Sequence, residues 1–217
     1  AYNRIRLSRT PGSSGRWQGL NISAPSGESS LTTNVISFSD MEYGDEQGES
    51  IRLKHSRLLL DHLTWDHCNN TVLELTSPQL ELRDCVFPFI PSTEAIHGVT
   101  LLDDDYSILR RNLFAPTTGY NDIIDFTGGR RPGPILAAYD NIFTGASDDC
   151  FDLDGSDAHL EGNIFMHVHQ DAPRDSSSNA ISTDDNSHLT VVRNLFYDVD
   201  HAILLIDQSD GVFLNNT

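Results

Sequence analysis

A short triplet, an asparagine followed by an aliphatic residue and a phenylalanine, returns along this chain and limits what the chain can fold into. Full copies of the triplet begin at Asn112, Asn141, Asn163 and Asn194. Weaker copies, which keep only the aromatic residue or only the asparagine, begin at Met41, Leu63, Cys85 and Asn216. Successive copies are separated by 22, 22, 27, 29, 22, 31 and 22 residues. A fixed unit with extra residues at a few places is typical of a solenoid that carries loops on a regular core.

The content of one unit indicates which kind of solenoid this is. Apolar and β-branched residues occur in short runs that are interrupted by Gly, Asn, Asp and Ser, as in strands joined by turns. No unit contains the longer apolar period that a helical repeat needs. We therefore predict an all-β parallel β-helix over residues 1–217, a single domain of about eight to nine coils with three strands each. The asparagines should form one column at a bend, with the phenylalanines stacked inside.

The repeat and the opening segment give the chain a family resemblance. The opening reads YNRIRLSRTPGSSGRWQGLNISA, and Thr64-Trp65-Asp66-His67-Cys68 is similar to a pectate lyase segment. The chain resembles the right-handed parallel β-helix superfamily, which includes pectate lyases, polygalacturonases and uncharacterised secreted bacterial repeat proteins. This resemblance implies a right-handed coil and a secreted or cell-surface location. We expect the sequence to be part of a longer protein that carries the export signal.

Charge and cysteine content narrow the possible partners. The formal net charge is −18, with Lys54 as the single lysine. Such a charge repels nucleic acids and anionic membranes, and no apolar run is long enough to span a membrane. The three cysteines, Cys68, Cys85 and Cys150, cannot all pair, and we expect free, buried thiols.

Two neighbouring units bring carboxylates together. Aligning Asp122-Ile-Ile-Asp125 with Asp149-Cys-Phe-Asp152 places equivalent residues in adjacent coils, about 4.8 Å apart, with Asp148 beside them. Carboxylates this close repel one another unless a cation or protons intervene. One interpretation is a calcium site with Asp122, Asp125, Asp148, Asp149 and Asp152 as ligands. The other is acid–base catalysis by paired carboxyl groups.

The two interpretations correspond to two groups within the superfamily. Asp122, the Asp148-Asp149 pair and His169 resemble the catalytic residues of polygalacturonases, which gives Asp122, Asp125, Asp148, Asp149 and His169 as catalytic candidates. Asp148-Asp149-x-x-Asp152 resembles the calcium-binding element of pectate lyases. The Arg-Ile-Lys substrate clamp of the first group and the catalytic lysine of the second are both missing.

The functional expectation is a domain that binds a polysaccharide or glycan and cleaves it, as a hydrolase or a lyase, at this acidic face. The alternative is a non-catalytic structural or adhesive segment of a large bacterial surface protein. Extra residues at 87–97, 128–134 and 167–179 should form loops on the scaffold. We also expect end-to-end self-association through exposed strand edges of the terminal coils.

Overall fold

The computed structural model describes residues 3–24, 32–129, 135–171 and 177–217. Within these ranges the chain forms 24 strands in three parallel sheets of eight strands each. Each coil contributes one strand to every sheet, and the chain is a right-handed parallel β-helix, as predicted from the sequence. The described part of the chain contains no helix long and apolar enough to cross a membrane.

The strands of the three sheets follow one another in every coil. Sheet 1 contains β1 (Ile5–Leu7), β4 (Ser39–Glu42), β7 (Thr64–Asp66), β10 (Val86–Phe87), β13 (Leu113–Phe114), β16 (Ile142–Phe143), β19 (Ile164–Val168) and β22 (Leu195–Val199). Sheet 2 contains β2 (Leu20–Ser23), β5 (Glu49–Lys54), β8 (Thr71–Thr76), β11 (Ile96–Val99), β14 (Ile124–Thr127), β17 (Phe151–Asp154), β20 (Asn179–Asp184) and β23 (His201–Leu205). Sheet 3 contains β3 (Thr33–Ser37), β6 (Arg57–Asp61), β9 (Gln79–Arg83), β12 (Tyr106–Arg110), β15 (Leu136–Tyr139), β18 (Ala158–Glu161), β21 (His188–Val192) and β24 (Asp210–Leu214).

The repeated asparagines form one buried column between sheets 3 and 1. Asn163 donates its side-chain amide to the carbonyl oxygen of Ala138 and to Oδ1 of Asn194, each at 3.0 Å. Its own Oδ1 accepts the backbone N–H of Asn141 at 3.0 Å and the amide of Asn141 at 2.9 Å. The same pattern links Asn112 to Asn141 and Asn194 to Asn216. The side chains thus satisfy backbone groups that the bend removes from the sheets.

The phenylalanines stack inside the solenoid as predicted. Ring centroids lie 4.8 Å apart for Phe114 and Phe143, and 5.0 Å apart for Phe143 and Phe165. The stack continues to Phe196 at one end and through Phe87 to Trp65 at the other. The rings are stacked in register because equivalent residues of successive coils pair directly in sheet 1.

The predicted position of the Met41 copy was wrong by two residues. Met41 pairs with Trp65 in sheet 1, so Met41 fills the aromatic position and Ser39 the asparagine position. The sequence alignment had put Tyr43 in the aromatic stack. Tyr43 instead has a left-handed φ of 58° and stacks outside on the ring of His67 at 4.4 Å, while Met41 is fully buried.

The first loop also lies elsewhere than predicted. The connection from sheet 2 to sheet 3 is short in the preceding coil, where residues 77–78 join β8 to β9. The equivalent connection in this coil is longer, because residues 100–105 join β11 to β12. The extra residues therefore fall mainly at 100–105 rather than at 87–97. Asp105 closes this loop, because its Oδ2 accepts the backbone N–H groups of Leu101 and Leu102 at 2.9 and 2.8 Å. The second predicted loop falls between β14 and β15. The third falls between β19 and β20, except that residues 167–168 and 179 belong to these strands. Residues 130–134 and 172–176 lie outside the described residues. All three cysteines are free and buried, as expected.

Candidate functional site

Acidic side chains cover the outer surface of sheet 2 in the central coils. Phe151 and Leu153 of β17 point into the core, so the alternation of the strand turns Asp152 and Asp154 outward. In β14 the same alternation turns Asp125 outward, and Asp125 pairs in register with Asp152. We call this surface the acidic face and define it by six residues: Asp122, Asp125, Asp148, Asp149, Asp152 and Asp154.

Three of these residues meet just before the strands begin. Asp122, Asp148 and Asp149 each offer a carboxylate oxygen that lies within 4.8 Å of the other two, and we call them the carboxylate trio. Oδ1 of Asp122 accepts the backbone N–H of Asp149 at 2.9 Å. Oδ1 of Asp149 accepts the backbone N–H and the side-chain amide of Asn179 at 2.7 and 2.8 Å. These bonds between successive coils fix the orientation of two of the three carboxyl groups.

Burial raises the pKa values of two carboxyl groups of the trio. Burial raises the pKa of Asp122 to about 9, and the charges of Asp152 and Asp149 act in the same direction. Burial also raises the pKa of Asp149 to about 7, although the hydrogen bonds from Asn179 oppose this shift. Asp122 therefore holds a proton at neutral pH, which a carboxyl group normally does not.

Asp125 and Asp152 lie on the same face but outside the trio. Burial raises the pKa of Asp152 to about 7, and the charge of Asp154 adds to the effect. Burial raises the pKa of Asp125 to about 6, against the opposing charge of His97. The structure thus brings the five predicted aspartates onto one surface. It separates them into a trio and a pair one step further along the strands.

His97 belongs to the same surface and was missed in the sequence. It lies in β11 in register with Asp125. Its Nδ1 is 3.1 Å from both carboxylate oxygens of Glu74, and its Nε2 is 3.9 Å from Oδ2 of Asp125. The bond to Glu74 raises the pKa of His97 to about 9, so the ring is cationic at neutral pH. Aligning Ile96-His97-Gly98 with Ile124-Asp125-Phe126 would have revealed it.

A groove of about 620 Å³ opens along the acidic face. Its charged lining consists of Asp148, Asp149, Asp152, Asp154 and Asp184, with no lysine or arginine among the described lining residues. Its other walls include Tyr120, Asn179, Ser182 and the aliphatic side chains of Leu204 and Ile206. Asn179 was also missed, and only the register of β17 with β20 would have shown that it holds Asp149.

His169 has other partners. It follows β19 in sheet 1, and its two ring nitrogens lie 2.7 Å from Asp200 and 3.1 Å from Asp198. Among the residues that the structure describes, no hydrogen bond or ion pair joins His169 to the trio. Its predicted role beside Asp148 and Asp149 stays a prediction.

A scan against protein-family models and searches of curated proteins and of solved structures found no match to this chain. The fold and the geometry of the acidic face therefore carry the functional argument.

Proposed function

We propose that the acidic face binds a glycan and cleaves a glycosidic bond by hydrolysis. The observation that carries this is the convergence of Asp122, Asp148 and Asp149, whose carboxylate oxygens lie within 4.8 Å of one another where burial raises the pKa of Asp122 to about 9. Glycoside hydrolysis needs one carboxyl group that donates a proton and a second that acts as an ionised base or nucleophile. Asp122 is the proton donor in this scheme, and Asp148 or Asp149 is the ionised partner.

The spacing of the trio favours one stereochemical outcome. Inverting hydrolysis needs carboxyl groups roughly 6.5–9.5 Å apart to admit a water molecule, whereas retaining enzymes hold them about 5–5.5 Å apart. Oxygens within 4.8 Å are nearer to the retaining arrangement. We therefore expect a pair drawn from the trio to release a product with retained anomeric configuration.

The groove favours a neutral glycan over a polyuronate. Five carboxylates line it, and the described lining contains no arginine or lysine to pair with a uronate. A polyanion would be repelled unless cations intervened. Sugar hydroxyl groups can instead donate hydrogen bonds to the carboxylates, while Leu204 and Ile206 offer apolar surface to the sugar ring.

The test is reducing-end release from a panel of neutral polysaccharides, measured for the wild type, Asp122→Asn and Asp149→Asn. Glu46→Gln serves as the control, because Glu46 is an exposed carboxylate away from the groove. We expect both aspartate variants to lose about 10²-fold or more in kcat with the control unchanged, since acid–base groups contribute about 10²–10⁴-fold. Nuclear magnetic resonance of the first product gives the anomeric configuration. A wild type that cleaves nothing in the panel would support the structural or adhesive alternative.

A second candidate function is calcium binding by the trio. Three convergent carboxylate oxygens, two of them on groups oriented by backbone N–H donors, suit a hard divalent cation. A bound cation would also offset the burial and the repulsion that raise these pKa values. Calcium should then increase the melting temperature by mass action, and Asp149→Asn should remove most of the increase. No calcium response in the wild type would exclude the cation site and leave the acid–base pair.

A further inference from the structure

The beginning of this acidic chain is rich in arginine. Residues 1–24 contain Arg4, Arg6, Arg9 and Arg16 and no aspartate or glutamate. Three of these arginines pair with carboxylates of the next coil, namely Arg4 with Asp40 at 2.6 Å, Arg6 with Glu42 at 2.6 Å, and Arg16 with Asp45. Arg9 differs from them, because it has no carboxylate partner among the residues that the structure describes.

An aromatic ring holds the side chain of Arg9 in place. The guanidinium carbon of Arg9 lies 3.8 Å from the centre of the Tyr43 ring, and Tyr43 stacks in turn on His67 at 4.4 Å. Contact with the face of a ring restricts the guanidinium without using any of its five N–H donors. Arg9 is therefore a positioned cation whose donors remain available to a ligand.

Arg9 lines a pocket of about 430 Å³ at the bend between sheets 1 and 2, which we call the arginine pocket. Thr10 and Gly12 line the same pocket and offer a hydroxyl group and two backbone N–H groups. Neither of these N–H groups has an acceptor within the described part of the chain. The wall of the pocket thus combines one cation with several hydrogen-bond donors.

The single carboxylate in the wall, Glu42, is already compensated. Its Oε2 accepts Nη2 of Arg6 at 2.6 Å and the hydroxyl group of Ser8 at 3.1 Å. Because Arg6 offsets the charge of Glu42, the charge of Arg9 gives the pocket its net positive sign.

The arginine pocket is well separated from the carboxylate trio. The pocket lies at the connections after β1 and β4, whereas the trio lies at the same bend after β13 and β16. Four coils of about 4.8 Å give a separation of about 19 Å along the solenoid. This distance exceeds the screening length of about 8 Å at physiological ionic strength. The acidic face therefore does not prevent an anion from binding at Arg9.

We propose that the arginine pocket binds a tetrahedral oxyanion, the sulfate or phosphate group of a small or polymeric ligand, through the guanidinium of Arg9. The planar fork of a guanidinium pairs with two oxygens of such a group. The remaining oxygens need further donors, which Thr10 and Gly12 offer in the same wall. The volume of about 430 Å³ also lies within the usual range of ligand pockets, so the molecule that carries the group has room.

Arg110 provides a matched control within the same chain. Its guanidinium carbon lies 4.2 Å from the centre of the Tyr139 ring, in a stack similar to that of Arg9 on Tyr43. Neither Arg110 nor Tyr139 lines the arginine pocket. Arg110→Gln therefore removes one positive charge and one stacked guanidinium without changing the pocket.

The test is nuclear magnetic resonance titration of nitrogen-15-labelled protein with inorganic sulfate, inorganic phosphate, glucose 6-sulfate and glucose. We expect saturable shifts of the Nε–H of Arg9 and of the backbone N–H groups of Thr10 and Gly12 with each oxyanion, and no shift with glucose. Tighter binding of glucose 6-sulfate than of inorganic sulfate would identify an ester as the ligand, and equal affinities would identify the free ion. Either result supports the site.

Arg9→Gln should weaken sulfate binding about 10-fold or more, because hydrogen bonds to a charged group are lost. Arg9→Lys, which keeps the charge but loses the planar fork, should also weaken binding, whereas Arg110→Gln should bind like the wild type. Melting curves verify that each variant is folded. Shifts that do not saturate or that lie elsewhere, equal weakening by Arg9→Gln and Arg110→Gln, or tighter binding of acetate than of sulfate would overturn the proposal.

Discussion

Replacing Asp122 by asparagine should change how the stability of the protein depends on pH. The folded state holds the Asp122 proton up to a pKa of about 9, whereas an unfolded chain releases it near its ordinary value of about 4. A raised carboxyl pKa means that the folded state binds more protons than the unfolded state, so stability falls as pH increases between these two values. Below the lower value both states are protonated, and Asp122 contributes no penalty.

The size of the effect follows from one proton. Each proton bound only by the folded state costs about 1.4 kcal/mol of unfolding free energy per pH unit. Between pH 5 and pH 8 Asp122 alone should lower the stability of the wild type by up to about 4 kcal/mol. Asp149 and Asp152 make the unfolding free energy fall more steeply with pH, mainly below pH 7, because their pKa values are about 7. Asparagine keeps the Oδ1 that accepts the backbone N–H of Asp149.

Urea denaturation followed by circular dichroism, at constant ionic strength with chelator present, measures this slope. Asp122→Asn should match the wild type near pH 4 and exceed its unfolding free energy by several kcal/mol at pH 8. Glu46→Gln, which removes an exposed carboxylate elsewhere, should follow the wild-type curve. Parallel curves for Asp122→Asn and the wild type would refute the raised pKa of Asp122.

Three further predictions concern the scaffold, each measured by urea denaturation. Asn163→Ala should cost about 3–6 kcal/mol, because it leaves buried groups of Asn141 and Ala138 without partners, whereas Asn216→Ala at the less buried end of the column should cost less. Phe143→Ala should cost about 3–5 kcal/mol through the cavity it leaves in the stack, with the partly exposed Leu113→Ala as a milder control. Gly98→Ala should cost about 1–3 kcal/mol, because a Cβ there would lie 2.5 Å from the ring of Phe126.

The sequence allowed the fold to be predicted wherever the repeat was exact. The four full triplets placed Asn141, Phe143 and their equivalents correctly, because one buried amide and one buried ring per coil leave an unmistakable pattern. The pattern failed at Met41. The inward position of this coil is filled by the methionine side chain, and the nearby Tyr43, which points outward, was mistaken for the stacked aromatic residue. Loop positions were less predictable, since the interval between triplets gives the number of extra residues but not the bend that accommodates them.

The residues of the candidate site could be predicted where the pairing of strands in neighbouring coils could be predicted. Alignment of two coils placed Asp122 beside Asp149 and Asp125 beside Asp152, and the structure agrees. The contributions of His97 and Asn179 come from the coils on either side of this pair. The sequence predicted a raised carboxyl pKa from repulsion between neighbouring carboxylates, whereas the largest cause in the structure is burial by the surrounding chain, which the sequence did not reveal.

The distribution of charge along the outer surface of sheet 2 supports the proposal that the acidic face binds a ligand or takes part in catalysis. Outward positions on a parallel strand accept almost any polar residue without affecting the core. In the earlier coils this surface carries opposite charges close together, as Arg52 and Glu49 at 2.8 Å and His97 and Glu74 at 3.1 Å show. Asp125 still faces His97 at 3.9 Å, but the register continues from Asp125 through Asp152 to Ser182 with no arginine or lysine in these paired positions. Such an arrangement costs stability at neutral pH, and a scaffold position free to vary would not be expected to keep that cost without a ligand, a cation or a proton transfer that uses it.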